Sequence, residues 1–124
     1  MNNLRQLLIE RLEKYAKTMP AQPAIEGIDE TLTYFELANL VKSRAYFLRQ
    51  MLGTNNLPVA IRLKDKKEVL ITMLALIKAG KALLPLPYEI PEDKVIHIIK
   101  TIGPQALITE KELQHQNIEV TPKS

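Results

Sequence analysis

Proton transfer, nucleophilic attack and metal binding each need particular side chains in company, and this sequence offers few candidates. Its two histidines are His97 and His115. Neither has a Ser or Cys in a nucleophile-like turn nearby. The chain contains no cysteine, which excludes disulfides, thiolate chemistry and cysteine-ligated metals. No zinc site is expected. His97 falls on the polar side of a helix, His115 near the C-terminal end, and both read as surface or boundary residues. Glu36 is the tempting general base. It stands three residues after Thr33, however, the spacing at which a helix-capping threonine and a glutamate bond each other's backbone N–H groups. Asp65 and Glu68 repeat that spacing. Lys78 and Lys81 flank Gly80 and could meet an acidic partner. As lysines at a helix C-terminus they would equally complement the negative end of its dipole.

Phosphate binding needs clustered glycines, whose backbone N–H groups can converge on an anion. This sequence has four glycines, all isolated. Gly27 belongs to a turn, while Gly53, Gly80 and Gly103 each stand where a helix must end. None is left to cradle a nucleotide. No catalytic, cofactor-binding or metal residue is therefore assigned, and no cofactor is expected for this chain alone.

The elements that would position these residues follow from periodicity. Leu4, Leu8, Leu12 and Tyr15 define an amphipathic helix over Asn3 to Thr18, stopped by Pro20. Pro23 to Thr33 reads as a small hairpin around a Gly27–Glu30 turn. Leu32-Thr33-Tyr34-Phe35-Glu36-Leu37 opens a second helix. Thr33 and Glu36 form its capping box, and Leu32 and Leu37 occupy the positions of a hydrophobic staple. Val41, Ala45, Leu48 and Leu52 share its inner face, and Gly53 supplies a left-handed cap. Leu57 to Leu63 holds a strand centred on Val59-Ala60-Ile61. A third helix, Lys66 to Ala79, is apolar almost all round from Val69 to Ile77 and should be buried between layers. Ala82 to Leu86 is a second strand. Pro91 takes the first position of a fourth helix, with Val95, Ile98, Ile99 and Ile102 inward. Gln105 to Thr109 is a third strand, followed by a short helix, Glu110 to His115, and a last strand at Ile118 to Val120. Short, uniformly apolar strands alternating with helices imply an α/β fold. Its expected form is a Rossmann-like, partial doubly wound parallel sheet, preceded by a helix and a small β-hairpin. The expected organisation is one domain over residues 1–124, with 117–124 as a disordered tail.

Composition narrows the class further. The net charge is +3, and acids are interleaved with Lys and Arg. The tightest basic cluster, Arg62, Lys64, Lys66 and Lys67, is broken by Asp65 and reads as a solvated surface. With no aromatic RNA-binding pattern, zinc knuckle or basic stripe, nucleic acid is not an expected partner. The longest apolar run, Met73 to Ile77, is too short to span a bilayer, and no signal-peptide pattern opens the chain. No membrane association is expected, and the expected location is the cytoplasm.

Two ordered motifs resemble a known superfamily. Leu32-Thr33-Tyr34-Phe35-Glu36-Leu37 resembles the Leu-Thr-Tyr-x-Glu-Leu motif that opens the adenylation domains of nonribosomal peptide synthetases. Ile77-Lys78-Ala79-Gly80-Lys81-Ala82-Leu83-Leu84-Pro85-Leu86 resembles their Leu-Lys-Ala-Gly-x-Ala-Tyr-x-Pro-Leu motif. Pro91 to Val95 and Ala106 to Thr109 are similar to the family's next helix and strand. The resemblance runs from about Leu8 to Thr109 and implies the N-terminal part of an adenylate-forming, acyl- or aminoacyl-AMP ligase. Complete members use ATP and Mg²⁺ to convert a carboxylic acid to an acyl-AMP and pass the acyl group to a thiol. Their Ser/Thr/Gly-rich ATP loop and late lysine lie further along than these residues. The sequence also departs from the pattern. Lys81 replaces the usual second glycine, Pro87 replaces an aspartate, and Asn55-Asn56-Leu57-Pro58 replaces a Gly-Asp approach to the first parallel strand.

The resemblance implies structural roles for Leu32, Thr33, Tyr34, Glu36, Leu37, Lys78, Ala79, Gly80, Ala82, Pro85 and Leu86. Three functions are compatible with it. The first is a non-catalytic interaction module that self-associates, as a symmetric dimer, or binds a synthetase protein. The second is a truncated or split part of an active adenylating ligase. The third is a small basic binding protein that shares only the fold.

Overall fold

Residues 2–27 and 30–115 are described by the computed structural model. The expected strand at Ile118 to Val120 and the expected tail at 117–124 lie outside them.

The chain opens with α1 (Asn2–Thr18). Its buried side is not the Leu4–Leu8–Leu12 stripe. Ile9 and Leu12 are buried, whereas Leu4 and Leu8 are exposed. The physical reason lies at Arg5, whose guanidinium donates to the Lys81 carbonyl. Turning position 5 inward brings positions 9 and 12 with it and rotates Leu4 and Leu8 outward.

Strands β1 (Pro23–Glu26) and β2 (Thr31–Thr33) pair antiparallel, with an irregular register between Pro23 and Ile25. The Gly27 N–H donates to the Glu30 carbonyl at 2.8 Å and closes the turn as expected. Helix α2 (Tyr34–Leu52) follows without a linker. Leu37, Val41, Ala45 and Leu48 face the core, and Leu52 is half-buried beside them. Gly53 ends the helix at φ 76° and ψ −159°, so its φ is positive but it is not in the left-handed helical region that the sequence suggests. The difference turns its carbonyl onto the Lys81 ammonium, 2.6 Å away.

The second half is an α/β sandwich: β3 (Val59–Ile61), α3 (Lys66–Lys78), β4 (Leu83–Pro85), α4 (Glu92–Ile102), β5 (Ala106–Ile108) and α5 (Glu110–His115). The strands are parallel in the order β4-β3-β5. Val59 pairs with Leu83 and Ala106, and Ile61 with Pro85 and Ile108. Alternation sends Val59, Ile61 and Ile108 to one face, where they join Leu48, Ile71 and Leu76 in the main core. Ala60 faces the other way, toward Val95 and Leu86. Helices therefore cover both faces, α2 and α3 on one side and α4 on the other. The chain steps from β3 to β4, then crosses back over β3 to β5. This reversal of winding makes the fold doubly wound.

Three details correct the sequence reading. Helix α3 buries only its Ile71, Thr72, Ala75 and Leu76 stripe, while Leu70 reaches solvent, because α2 and the sheet cover two sides and leave the third open. Pro91 is the N-cap of α4 rather than its first residue, with an extended ψ of 147°. Ile102 is exposed instead of inward, because α4 ends there and Gly103, in the left-handed region, turns the chain away.

Candidate functional site

The first motif is built as a helix start. The Thr33 N–H donates to Glu36 Oε1 at 2.9 Å, and the Glu36 N–H donates to Thr33 Oγ1 at 3.1 Å. Glu36 Oε1 and Thr33 Oγ1 are thus tied to backbone. Leu32 and Leu37 both join the main core, as a staple requires. The Tyr34 ring meets Tyr15 of α1 edge-on, with centroids 5.2 Å apart. Phe35, the variable position of the motif, is exposed.

The second motif closes α3 and leads into β4. Ala79 caps α3, its N–H donating to Ala75, and Gly80 takes a φ of 79°. Pro85 pairs in register with Ile61, and Leu86 is buried under α4. Neither lysine follows the simple dipole reading. Lys78 Nζ reaches Glu13 of α1 at 2.5 Å, while its carbonyl accepts from Arg49 of α2 at 3.1 Å. Lys81 is 2% exposed and donates through Nζ to the carbonyls of Gly53 and Asn55 at 2.6 and 2.7 Å. Its side chain runs back to the α2–β3 loop because that loop presents carbonyls that no backbone N–H reaches. The two motifs do not converge on a common cavity. They are joined through α1, α2 and α3.

Glu68 departs from the expected box. Asp65 Oδ1 accepts from the Lys67 N–H at 2.8 Å and caps α3, but Glu68 accepts from Arg44 at 2.7 Å. Arg44 also donates to Thr72 at 3.1 Å. The buried Arg44 guanidinium supplies a stronger donor than the helix terminus does. Thr109 and Glu112 form a further cap that the sequence reading passed over. Glu112 Oε1 accepts from the Thr109 N–H at 2.8 Å and its hydroxyl at 2.6 Å. Burial pushes the Glu112 carboxyl up, but these hydrogen bonds outweigh it and hold the group below its ordinary range. The signal was available, since Thr109-x-x-Glu112 repeats the spacing of Thr33-x-x-Glu36. Arg44 was also legible, standing on the same inward stripe as Val41 and Leu48.

One open cavity of about 530 Å³ lies beside the α3–β4 turn, lined by Arg5, Gln6, Asn56 and Lys81 among others, and polar groups also gather at the carboxyl ends of the strands, where a doubly wound sheet places its crevice. The Arg62 N–H bonds the Ile108 carbonyl at 3.0 Å, and its guanidinium donates to the carbonyls of Ile90 (2.9 Å) and Tyr88 (3.2 Å). The same guanidinium lies 5.1 Å from the Tyr88 ring centroid. Glu110 accepts from the Lys64 N–H at 2.7 Å across the β3–β5 gap. Among the described residues, no cluster of three or more His, Asp or Glu could hold a metal ion, and no helix is long and apolar enough to cross a membrane.

A doubly wound half-sheet fed by a capped helix, with both motifs tied into packing, defines the N-terminal α/β layer of an adenylation fold. The AMP-binding enzyme family matches residues 12–124, and the chain belongs to it. It is 35% identical over 105 residues to nonribosomal peptide synthetase 7 of Gibberella zeae, covering 85% of this chain and 2% of that protein. It is 27% identical to the D-alanine–D-alanyl carrier protein ligase of Bacillus cytotoxicus, over 91% of this chain and 22% of the ligase. Among solved structures, the N-terminal subdomain of Klebsiella oxytoca NpsA in complex with 3-hydroxyanthranilyl-AMSN superposes with a TM-score of 0.78 at 22% identity. That match covers 93% of this chain and 31% of the subdomain, and shows a shared fold. The chain thus spans at most about a fifth of these curated relatives.

Proposed function

We propose that the chain acts as a non-catalytic structural and protein-interaction module, built on the first subdomain of an adenylate-forming enzyme and working in the cytoplasm with peptide or acyl synthetase machinery. One observation carries the reading. The polar side chains of both family motifs are committed to the fold: Thr33 and Glu36 to each other's backbone, Lys78 to Glu13, and Lys81 to two carbonyls. Each of these four side chains is thus already engaged within the chain. Its partner is a second copy or a synthetase protein, which would pair the outer edges of β4 and β5. Isothermal titration with Mg·ATP tests the reading. No saturable heat is expected up to millimolar nucleotide. A micromolar binding curve, with acyl hydroxamate formed from an added acid, would overturn it.

A second reading, a truncated or split part of an active ligase, is favoured by how little of the NpsA subdomain the fold occupies. In that case the chain supplies scaffold, and acyl-AMP formation needs the remaining residues in trans. ATP–pyrophosphate exchange that appears only when the remainder of a relative's ligase is added would select this reading over the first.

A further inference from the structure

The cavity of about 530 Å³ lies at the amino ends of β3 and β4, between the start of α1 and the α3–β4 turn. Arg5 and Gln6 line it from α1, Asn56 from the loop before β3, and Lys81 from the turn itself. No Asp or Glu belongs to its lining. Its two cations are not neutralised elsewhere. Arg5 donates to the Lys81 carbonyl, and the buried Lys81 ammonium donates to the carbonyls of Gly53 and Asn55. All three acceptors are neutral, and neither cation has an ion pair among the described residues. Lys78, three residues before Lys81, is by contrast paired with Glu13. Glu10, the first acid of α1, accepts from Gln6 at 3.3 Å and lies outside the lining. Neutral carbonyls satisfy the donors of a cation but leave its charge in place. Where solvent is partly excluded, that charge acts at full strength, and the cavity carries a positive field. Lys81 stands where the adenylation family has a glycine, and Asn56 belongs to the segment that departs from the family's approach to the first parallel strand. The charge of the cavity is thus a property of this chain.

We infer that the cavity is a docking site for an acidic segment of a partner protein, whose Asp or Glu side chain enters beside Arg5. The guanidinium gives one bond to the Lys81 carbonyl and has further N–H groups for an incoming acid. Asn56 is exposed, and its side-chain amide has no partner among the described residues. An amide both donates and accepts, which suits the backbone of an extended segment. Leu4 and Leu57, the chain neighbours of Arg5 and Asn56, are 67% and 53% exposed and offer cover to apolar residues on either side of the acid. Phosphate is the poorer occupant. It calls for converging backbone N–H groups, and those of Gly80 and Lys81 are bonded to the Ile77 and Leu76 carbonyls at 3.0 and 2.9 Å. The proposal rests on the interaction-module reading and gives it a surface and a partner chemistry.

The test is a ¹⁵N–¹H NMR titration of the 124-residue chain with the capped peptide acetyl-Ala-Leu-Glu-Leu-Ala-amide, in which the spectrum also reports that each variant is folded. Saturable shifts confined to residues around Leu4–Gln6, Asn55–Leu57 and Gly80–Ala82 are expected. The same peptide with Gln in place of Glu should bind about fivefold more weakly, as loss of one ion pair predicts. Arg5→Met should remove that difference. Arg5 also ties α1 to the turn, so Asn56→Asp is the second variant. It places an acid in the lining at an exposed, unbonded position, and should weaken the Glu peptide at least fivefold while leaving the Gln peptide little changed. Scattered or unsaturable shifts, equal affinity for the two peptides, or an unaffected Asn56→Asp variant would each overturn the assignment. So would inorganic phosphate that binds these residues more tightly than the Glu peptide. Shifts of the same residues with protein concentration alone would give the cavity to a second copy instead. Failure here leaves the interaction-module reading with its strand edges, whereas Mg·ATP binding would remove that reading without altering the peptide result.

Discussion

Replacing Lys81 by methionine keeps the length of the side chain and removes its ammonium. The structure sets the expected cost. Lys81 makes two charge-assisted bonds, to Gly53 and Asn55, and hydrogen bonds to charged groups contribute about 1.5–3 kcal/mol each. Two effects reduce the sum. Methionine escapes the penalty of burying a charge, and the loop residues Gly53 and Asn55 are exposed, so water can reach at least one carbonyl. The net loss should be about 2–3 kcal/mol. Urea denaturation followed by circular dichroism measures it, and the midpoint should fall with an unchanged slope. In a thermal scan the same loss lowers Tm by about 4 °C per kcal/mol. Lys78→Met is the internal control, because its ion pair with Glu13 is largely exposed and should be worth less than about 1 kcal/mol. If Lys81→Met proves as stable as the parent, the ammonium is not what holds the α2–β3 loop. The departure from the family's glycine at this position would then have no structural account.

Thr33→Ala should cost about 1 kcal/mol by loss of the α2 cap, whereas Glu36→Gln should cost less, since the amide oxygen still accepts the Thr33 N–H; matched denaturation curves compare them. Glu112 gives a pH dependence of known sign. Its carboxyl is held below the unfolded value, so its contribution is present above the unfolded value and is lost as pH falls through the folded one. The Thr109 amide resonance should move through that acid transition, and Glu112→Gln should abolish the movement. Sedimentation equilibrium at micromolar concentration should find a dimer that pairs the outer strand edges. A stable monomer that binds no hydrophobic dye would remove self-association from the proposed function.

Much of the fold was legible because local and tertiary demands agree. At Thr33–Leu37 the cap, the staple and the core-facing period specify the same helix start, so sequence and structure coincide residue for residue. The three short strands were legible for a similar reason, since helices cover the sheet on both sides and leave the strands uniformly apolar. The strand order was not. Nothing in Val59–Ile61, Leu83–Pro85 or Ala106–Ile108 says which lies in the middle, because each is short and apolar, and order is decided by which faces α3 and α4 can cover. Three of the errors share one cause. The direction of α1, the partner of Glu68 and the burial of Lys81 each depend on a cation reaching an acceptor far along the chain. Arg5 reaches 76 residues, Arg44 reaches 24, and Lys81 reaches 28 back to Gly53. Periodicity carries no information about such pairs.

Those three cations also explain how the second motif is tied into the packing, beside a cavity of about 530 Å³ lined by Arg5, Gly80, Lys81 and Ala82. A doubly wound sheet exposes functional groups at the carboxyl ends of its strands, but the second motif enters β4 at its amino end. There the demand is for donors to satisfy the carbonyls at the end of α2 and in the loop after it, and Lys81 meets it. Arg5 then satisfies the carbonyl of Lys81 itself, which ties α1 to the turn between α3 and β4. Arg44 performs the same service between α2 and α3, where a buried guanidinium needs both Glu68 and Thr72 to offset its desolvation. Each cation occupies the gap between two helices or a helix and a loop, positions where an apolar side chain would leave acceptors unpaired. At the opposite, carboxyl end of the strands the loop after β3 leaves Lys64 and Lys66 free of ion pairs among the described residues. The polarity of the sheet thus separates Lys81, consumed by packing near the amino end of β4, from Lys64 and Lys66, exposed beyond the carboxyl end of β3.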